Sequence, residues 1–300
     1  MTPRGGMPLA DLHRPSVIKA LLKKYGLRPN KALGQNFIAD SNHLDRILSA
    51  AELSLSDAVL EIGPGIGALT QELAARCRGV TAIEIDRGLV SVLAETCGGF
   101  ANVRIIHADI LKVDLGEILS DLHGGPREGA TQTPVKVVAN LPYYITTPVI
   151  FRLLELRTAL SGIVLLVQRE VAERLVAAPD SPEYGALTVV TSYACSTSIV
   201  GFVPPAAFYP QPEVTSAIIL MRPVPPSLSG EAEAVFHKVV RLSFGQRRKT
   251  LRNSLEGVAD KSTVELALES ARIDAKRRGE TLSADEFCRL ALAFWNLQNT

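Results

Sequence analysis

The strongest constraint on this chain is a rhythm of short apolar runs, each about the length of a strand, separated by stretches of helical period. Runs at 58–62, 80–85, 103–107, 135–139 and 163–167 are dominated by Val, Ile, Leu and Ala. Strands so continuously apolar must be covered on both faces, as they are in a mainly parallel sheet layered between helices. The pattern therefore predicts an α/β fold. Two more strands are expected at 187–193 and 215–221, paired like a hairpin at the sheet edge, with Pro204, Pro205, Pro210 and Pro212 in the loop between them. A helix is expected at 41–51, where Leu44, Ile47, Leu48 and Ala51 share a face and Asp40 or Ser41 can cap it. Gly124, Gly125, Pro126 and Gly129 mark a surface loop in the second half of 116–134.

Beyond Pro223, Pro225 and Pro226 no strand pattern returns and the period is helical. The chain of 300 residues is long enough for two cores. The expected organisation is a basic N-terminal arm at 1–30, a catalytic domain at 31–222 and a smaller helical, RNA-binding domain at 223–300. The net charge of +1 conceals the arm, in which Arg4, Arg14, Lys19, Lys23, Lys24 and Arg28 face a single acid, Asp11, with Lys31 following. Such an arm suits a phosphate backbone. Two further basic clusters, Arg247-Arg248-Lys249 and Lys276-Arg277-Arg278, are either RNA grips or solvated surface.

Cys77, Cys97, Cys195 and Cys288 lie far apart, and the five histidines fall in no ligand spacing, so no metal is expected. No run approaches the ~20 apolar residues of a membrane span. Lys19, Lys23 and Lys24 interrupt any signal-peptide core, so the expected location is the cytoplasm, without membrane contact.

The chemistry lies where the runs end. The first leads into Glu61-Ile62-Gly63-Pro64-Gly65-Ile66-Gly67, followed by a helical stretch at 68–76. Glycines there let the backbone turn sharply and approach a ligand at a helix N-terminus. Glu84, ending the second run, can accept both hydroxyl hydrogens of a ribose, which leaves a dinucleotide cofactor equally open. Asp109, after the third, can accept from an adenine amine or simply cap a helix. The fourth run ends in Asn140-Leu141-Pro142-Tyr143, which separates these readings. An adenine amine is a poor nucleophile because its lone pair is delocalised into the ring. The Asn140 side-chain oxygen and the Leu141 carbonyl can both accept hydrogen bonds from that amine and favour a tetrahedral nitrogen aimed at a methyl donor. Pro142 holds the carbonyl in place, and Tyr143 offers a face for an extruded base. Phe208, in Phe208-Tyr209-Pro210-Gln211-Pro212, is the expected second wall, or else a loop aromatic covering the core.

In these residues the chain resembles the rRNA adenine N6-dimethyltransferase family, most closely its bacterial small-subunit branch. The resemblance covers most of the chain. It rests on Leu33-Gly34-Gln35-Asn36-Phe37, the loop from Glu61 to Gly67, Glu84, Asp109, Asn140 to Tyr143, Phe208 to Pro212 with Val214 and Ser216, and Phe244-Gly245-Gln246-Arg247-Arg248-Lys249-Thr250-Leu251. It implies a Rossmann-like class I S-adenosylmethionine-dependent methyltransferase sheet with a helical C-terminal domain. It places Asn36, the backbone at Ile38, Gly63, Gly65, Glu84, Asp109 and Asn140 around S-adenosylmethionine, and the target base between Tyr143 and Phe208. Arg247, Arg248 and Lys249 then grip rRNA. The implied reaction is dimethylation of two adjacent adenines in a hairpin near the 3′ end of 16S rRNA, within an immature small subunit and by a monomer. Ile38 stands where the family more often has leucine, a swap that preserves a main-chain contact. The alternatives are a large-subunit (23S) adenine N6-methyltransferase of the macrolide-resistance kind, a non-catalytic ribosome-assembly factor, and a dinucleotide oxidoreductase.

Overall fold

The computed structural model describes residues 11–30, 33–124, 133–246 and 249–299. Its contacts divide the chain into two units, one reaching to Ala172 and resuming at Ser198–Pro223, the other comprising Glu173–Thr197 and the residues from Val224 onward.

The first unit is built on a sheet. Helix α1 (Pro15–Lys24), strand β1 (Phe37–Ile38) and helix α2 (Ser41–Ala51) precede a βα series. That series runs β2 (Ala58–Ile62), α3 (Ala68–Ala74), β3 (Gly79–Glu84), α4 (Arg87–Thr96), β4 (Val103–His107), α5 (Leu115–His123), β5 (Val135–Asn140), α6 (Thr146–Glu155) and β6 (Gly162–Gln168). After α7 (Arg169–Leu175) and α8 (Ala186–Ala194) come β7 (Cys195–Val203), β8 (Phe208–Tyr209) and β9 (Ser216–Pro223). The seven-stranded order is β4-β3-β2-β5-β6-β9-β7, and β1 pairs with β8 in a separate ribbon. Strands β2 to β6 pair in parallel, whereas β9 runs antiparallel to β6. The central strands are buried along their length, as their continuous apolar runs require.

Three helices of this unit open on an aspartate cap. Asp40 accepts from the amide of Asn42 at α2, Asp86 from those of Gly88 and Leu89 at α4, and Asp114 from that of Glu117 at α5. Caps at these turns stop the strands at a common edge, and polar side chains collect there.

Two expectations change. The described part of the basic arm is not a free tail: Leu12, Ile18 and Leu22 are buried with Phe37, Ile66, Leu89 and Val92. Lys24 also pairs with Glu95 at 2.6 Å. The strand expected at 187–193 is helix α8, and the sheet-edge strand is the next segment, β7. A helix buried on nearly every side shows no amphipathic period, and its β-branched run (Thr188, Val189, Val190, Thr191) reads as a strand.

The second unit contains α8 with α9 (Gly230–Gly245), α10 (Leu251–Ser254), α11 (Lys261–Ser270) and α12 (Ala284–Gln298). Its core includes Phe236, Phe287 and Phe294, all fully buried. The expected boundary at 223 thus misses residues 173–197, which cluster with the helices although they precede it in sequence. Among the described residues no helix is long and apolar enough to cross a membrane.

Candidate active site

The strand ends of β2, β3, β4 and β5 line a cleft of about 970 Å³, part of it open to solvent. Its floor is the turn after β2. Gly63, Gly65 and Gly67 all have positive φ, at 69°, 62° and 92°. At Gly65 the requirement is also spatial, because a Cβ would lie 3.0 Å from the Phe37 ring. At Gly67 a Cβ would meet the Cys97 sulfur at 2.7 Å. The Gly65 amide donates to Glu84 Oε2 at 3.2 Å, and the Asp86 amide to Glu84 Oε1 at 2.9 Å. Both carboxylate oxygens are therefore oriented by the backbone while keeping lone pairs for a ligand. Burial raises the Glu84 pKa, opposed by those two amides.

Beside it lies Glu61, 1% exposed. Burial pushes its carboxyl up to about 8, with the Thr70 hydroxyl opposing and the Glu84 charge reinforcing the shift. Among the described residues Glu61 Oε2 has no hydrogen-bond partner. A buried carboxyl oxygen without a partner, in the wall of a cleft, is the place for a ligand that brings a polar group.

Asp109 also lines the cleft. Its Oδ1 accepts from the Leu111 amide at 2.9 Å, and Lys112 Nζ is 3.5 Å from Oδ2. Asp109 thus both caps a turn and lines the cavity.

Asn140 Nδ2 donates to the carbonyl of Asn36 at 2.9 Å. A carbonyl only accepts, so this bond fixes which end of the amide is which. The NH₂ is consumed, and Oδ1 is the atom left to act as an acceptor. Asn36 is itself held, its Nδ2 donating to the Gly34 carbonyl at 3.1 Å. The next residue is fixed by its backbone, the Leu141 amide donating to the Leu166 carbonyl of β6 at 3.2 Å. Tyr143 is half-buried with its hydroxyl 2.6 Å from Ser216 Oγ, which pins the ring at the cleft. Burial raises the Tyr143 pKa, with the Ser216 bond opposing, so the phenol stays neutral at physiological pH.

The chain matches the family model described as ribosomal RNA adenine dimethylase over residues 26–295. It belongs to that family. The ribosomal RNA small subunit methyltransferase A of Bacillus pumilus is 47% identical, covering 94% of this chain and 96% of that protein. The protein of the same name from Clostridioides difficile is 45% identical, covering 94% and 95%. Among solved structures, a dimethyladenosine transferase from Plasmodium falciparum aligns with a TM-score of 0.71 at 26% identity, covering 87% of this chain and 98% of that one. The 23S rRNA methyltransferase ErmE aligns with a TM-score of 0.63 at 30% identity, covering 86% and 99%.

The dimethylase therefore brings together, around one cleft, Asn36, Ile38, Gly63, Gly65, Glu84, Asp109, Asn140, Leu141, Pro142 and Tyr143. It does not bring Phe208 there. Phe208 is 3% exposed, pairs with Ile38 across the β1–β8 ribbon, and packs in the core with Leu44, Leu48 and Val203. The pairing turns its ring inward, so the expectation of a second base wall is corrected to that of a core residue. Arg247 and Arg248 lie outside the described residues. Lys249 is exposed. Arg277, in the other basic cluster of the dimethylase, is committed internally to Glu286. Sequence reasoning singled out neither Glu61 by itself nor Ile85, Ile110 and Tyr144, which also line the cleft. A charged residue inside an otherwise apolar strand was the available signal for Glu61.

Proposed function

We infer that this dimethylase uses S-adenosylmethionine to place two methyl groups on the N6 of each of two adjacent adenines, in a hairpin near the 3′ end of 16S rRNA. It does so as a monomer acting on immature small subunits in the cytoplasm, and so takes part in their maturation. The small-subunit assignment follows the relatives of 45–47% identity over nearly the whole chain, against 30% for the large-subunit enzyme.

The residues present fit the cofactor. Glu61 Oε2 is a buried polar atom without a partner among the described residues, and Glu84 offers two preoriented oxygens. Asp109 accepts from an amine, while Asn36, the backbone at Ile38, Gly63 and Gly65 supply close main-chain approach. When bound, S-adenosylmethionine supplies an electrophilic methyl group on a sulfonium.

The rest of the task falls to the chain. Tyr143, anchored through Ser216, stacks the flipped adenine. Asn140 Oδ1 and the Leu141 carbonyl accept the two hydrogens of the N6 amine and draw its lone pair out of conjugation. Because this interaction strengthens as the nitrogen becomes tetrahedral, it favours the transition state over the planar ground state. The proton leaves for solvent from a nitrogen made acidic by alkylation, so no strong base is needed. Lys249 with Arg247 and Arg248 contacts rRNA phosphates.

The observation that carries the reading is the Asn140 Nδ2 bond to Asn36, which leaves Oδ1 as the acceptor at the cleft. The test is to incubate the protein with labelled donor and small subunits from a strain lacking the activity, then to map both rRNAs by mass spectrometry. Two adjacent dimethyladenosines in 16S rRNA are expected. Label in 23S rRNA alone would reject the small-subunit assignment, and no label from folded, cofactor-binding protein would reject catalysis.

A further inference from the structure

Phe202, at the end of a sheet-edge strand, is 45% exposed. It is the penultimate residue of β7, and the Arg169 guanidinium carbon lies 5.2 Å from its ring centroid. Arg169 is itself exposed at the surface. It is the first residue beyond β6, so this contact links the end of β7 to the end of β6 across the intervening β9.

The backbone under Phe202 is held by a second guanidinium. Arg46 Nη1 donates to the Phe202 carbonyl at 3.2 Å and Nη2 to the Val200 carbonyl at 3.4 Å. Between them is Gly201, where a Cβ would sit 1.5 Å from Arg46 Nη2, so only glycine admits this fork. The ring is thus presented by a fixed backbone and accompanied by two cations.

This feature connects to the cleft by consecutive links. The Arg169 amide donates to the Thr215 carbonyl at 3.0 Å. The preceding Gln168 pairs with Ser216 across β6 and β9, and Ser216 Oγ holds the Tyr143 hydroxyl at 2.6 Å. Phe202 and Arg169 are therefore an exposed aromatic and an exposed cation linked to Tyr143 along the strand ends.

Resting on the reading of the cleft as an rRNA adenine site, we propose that Phe202 and Arg169 form a stacking platform for the unpaired nucleotide next to the target adenine. A flexible single strand is recognised by aromatic faces and guanidinium planes, with a cation near its phosphate, and this surface carries all three elements. Holding the neighbour fixes which adenine enters the cleft and restrains the strand while a second target takes the place of the first.

The test uses the full-length protein and small subunits lacking the modification. Phe202→Ala is expected to raise the KM for subunits about tenfold, within the range reported for loss of one base–aromatic stack, with kcat and cofactor affinity little changed. Phe202→Trp restores the KM. In a separate arm, Phe202→p-benzoylphenylalanine is irradiated on the subunit and the cross-link mapped. A cross-link to the nucleotide beside the methylated adenines is expected. A cross-link to a ribosomal protein or to distant rRNA, or a Phe202→Ala variant with wild-type KM, overturns the platform while leaving the cleft assignment standing. A wild-type protein that methylates no rRNA overturns both.

Discussion

Two glutamates, one in each unit, are treated in opposite ways. Glu286 in the helical unit receives both arms of Arg277, at 2.6 and 3.1 Å, and the Ser283 amide at 2.9 Å. These partners lower its pKa, the Arg277 hydrogen bond being the largest cause. Glu61 in the sheet unit is more deeply buried, keeps one oxygen without a partner among the described residues, and is pushed up to about 8. A carboxylate with its partners in place serves the fold. One that is buried and left short of a donor lowers the stability of the empty protein, and it is tolerated where a ligand supplies what is missing. The difference separates a region selected for holding together from one selected for binding.

The largest way to break this contrast is at Asn140. Asn140→Ala removes Oδ1 from the target amine, and kcat is expected to fall about 100- to 1000-fold, the range seen when one transition-state hydrogen bond is lost. Calorimetry should find cofactor affinity largely retained. Loss of both together would make Asn140 a cofactor-binding residue first. Next is Glu84→Ala, which removes two preoriented acceptors. The cofactor dissociation constant is expected to rise about 10- to 100-fold by titration, with kcat at saturation less affected.

How much of this was readable beforehand depends on whether a residue's role is local. The parallel strands β2, β3, β5 and β6 were legible because burial on both faces leaves continuous apolar runs, and the strand-end residues Glu84 and Asn140 follow from where those runs stop. The α8 segment was not, because total burial erases the period that distinguishes helix from strand. Phe208 was misplaced because its direction is set by pairing with Ile38, 170 residues away in sequence. Arg277 looked like part of a surface charge cluster because its partner, Glu286, lies on the next helix. The orphaned oxygen of Glu61 exists only through the packing around it. No spacing encodes that.

Glu61→Gln sharpens the contrast through pH. A carboxyl raised from 4.5 to about 8 in the folded state stays protonated there while the unfolded chain has released its proton. The unfolded chain therefore gains stability as pH rises, so the contribution of Glu61 to the stability of the empty protein is most favourable below about 4.5, declines through the interval and levels off above about 8. Glutamine mimics the neutral acid at every pH. The variant should match wild type below about pH 4.5 and exceed it by about 4 kcal/mol near pH 8 in denaturant titrations without cofactor. A constant offset between the two proteins across this range would remove Glu61 as the titrating group.

The smallest expected effect comes from the satisfied side of the comparison. Ser283 Oγ accepts from the Glu286 amide at 3.2 Å while the Glu286 side chain accepts from the Ser283 amide, a reciprocal cap on α12. Ser283→Ala deletes half of it, and a loss of about 1 kcal/mol is expected. Since Glu286 keeps Arg277, that loss should be nearly independent of pH around neutrality. Cofactor affinity should not change. A Ser283→Ala variant that folded normally yet bound the cofactor more weakly would show that the helical unit's polar network also serves binding, and the division of labour between the two glutamates would no longer hold.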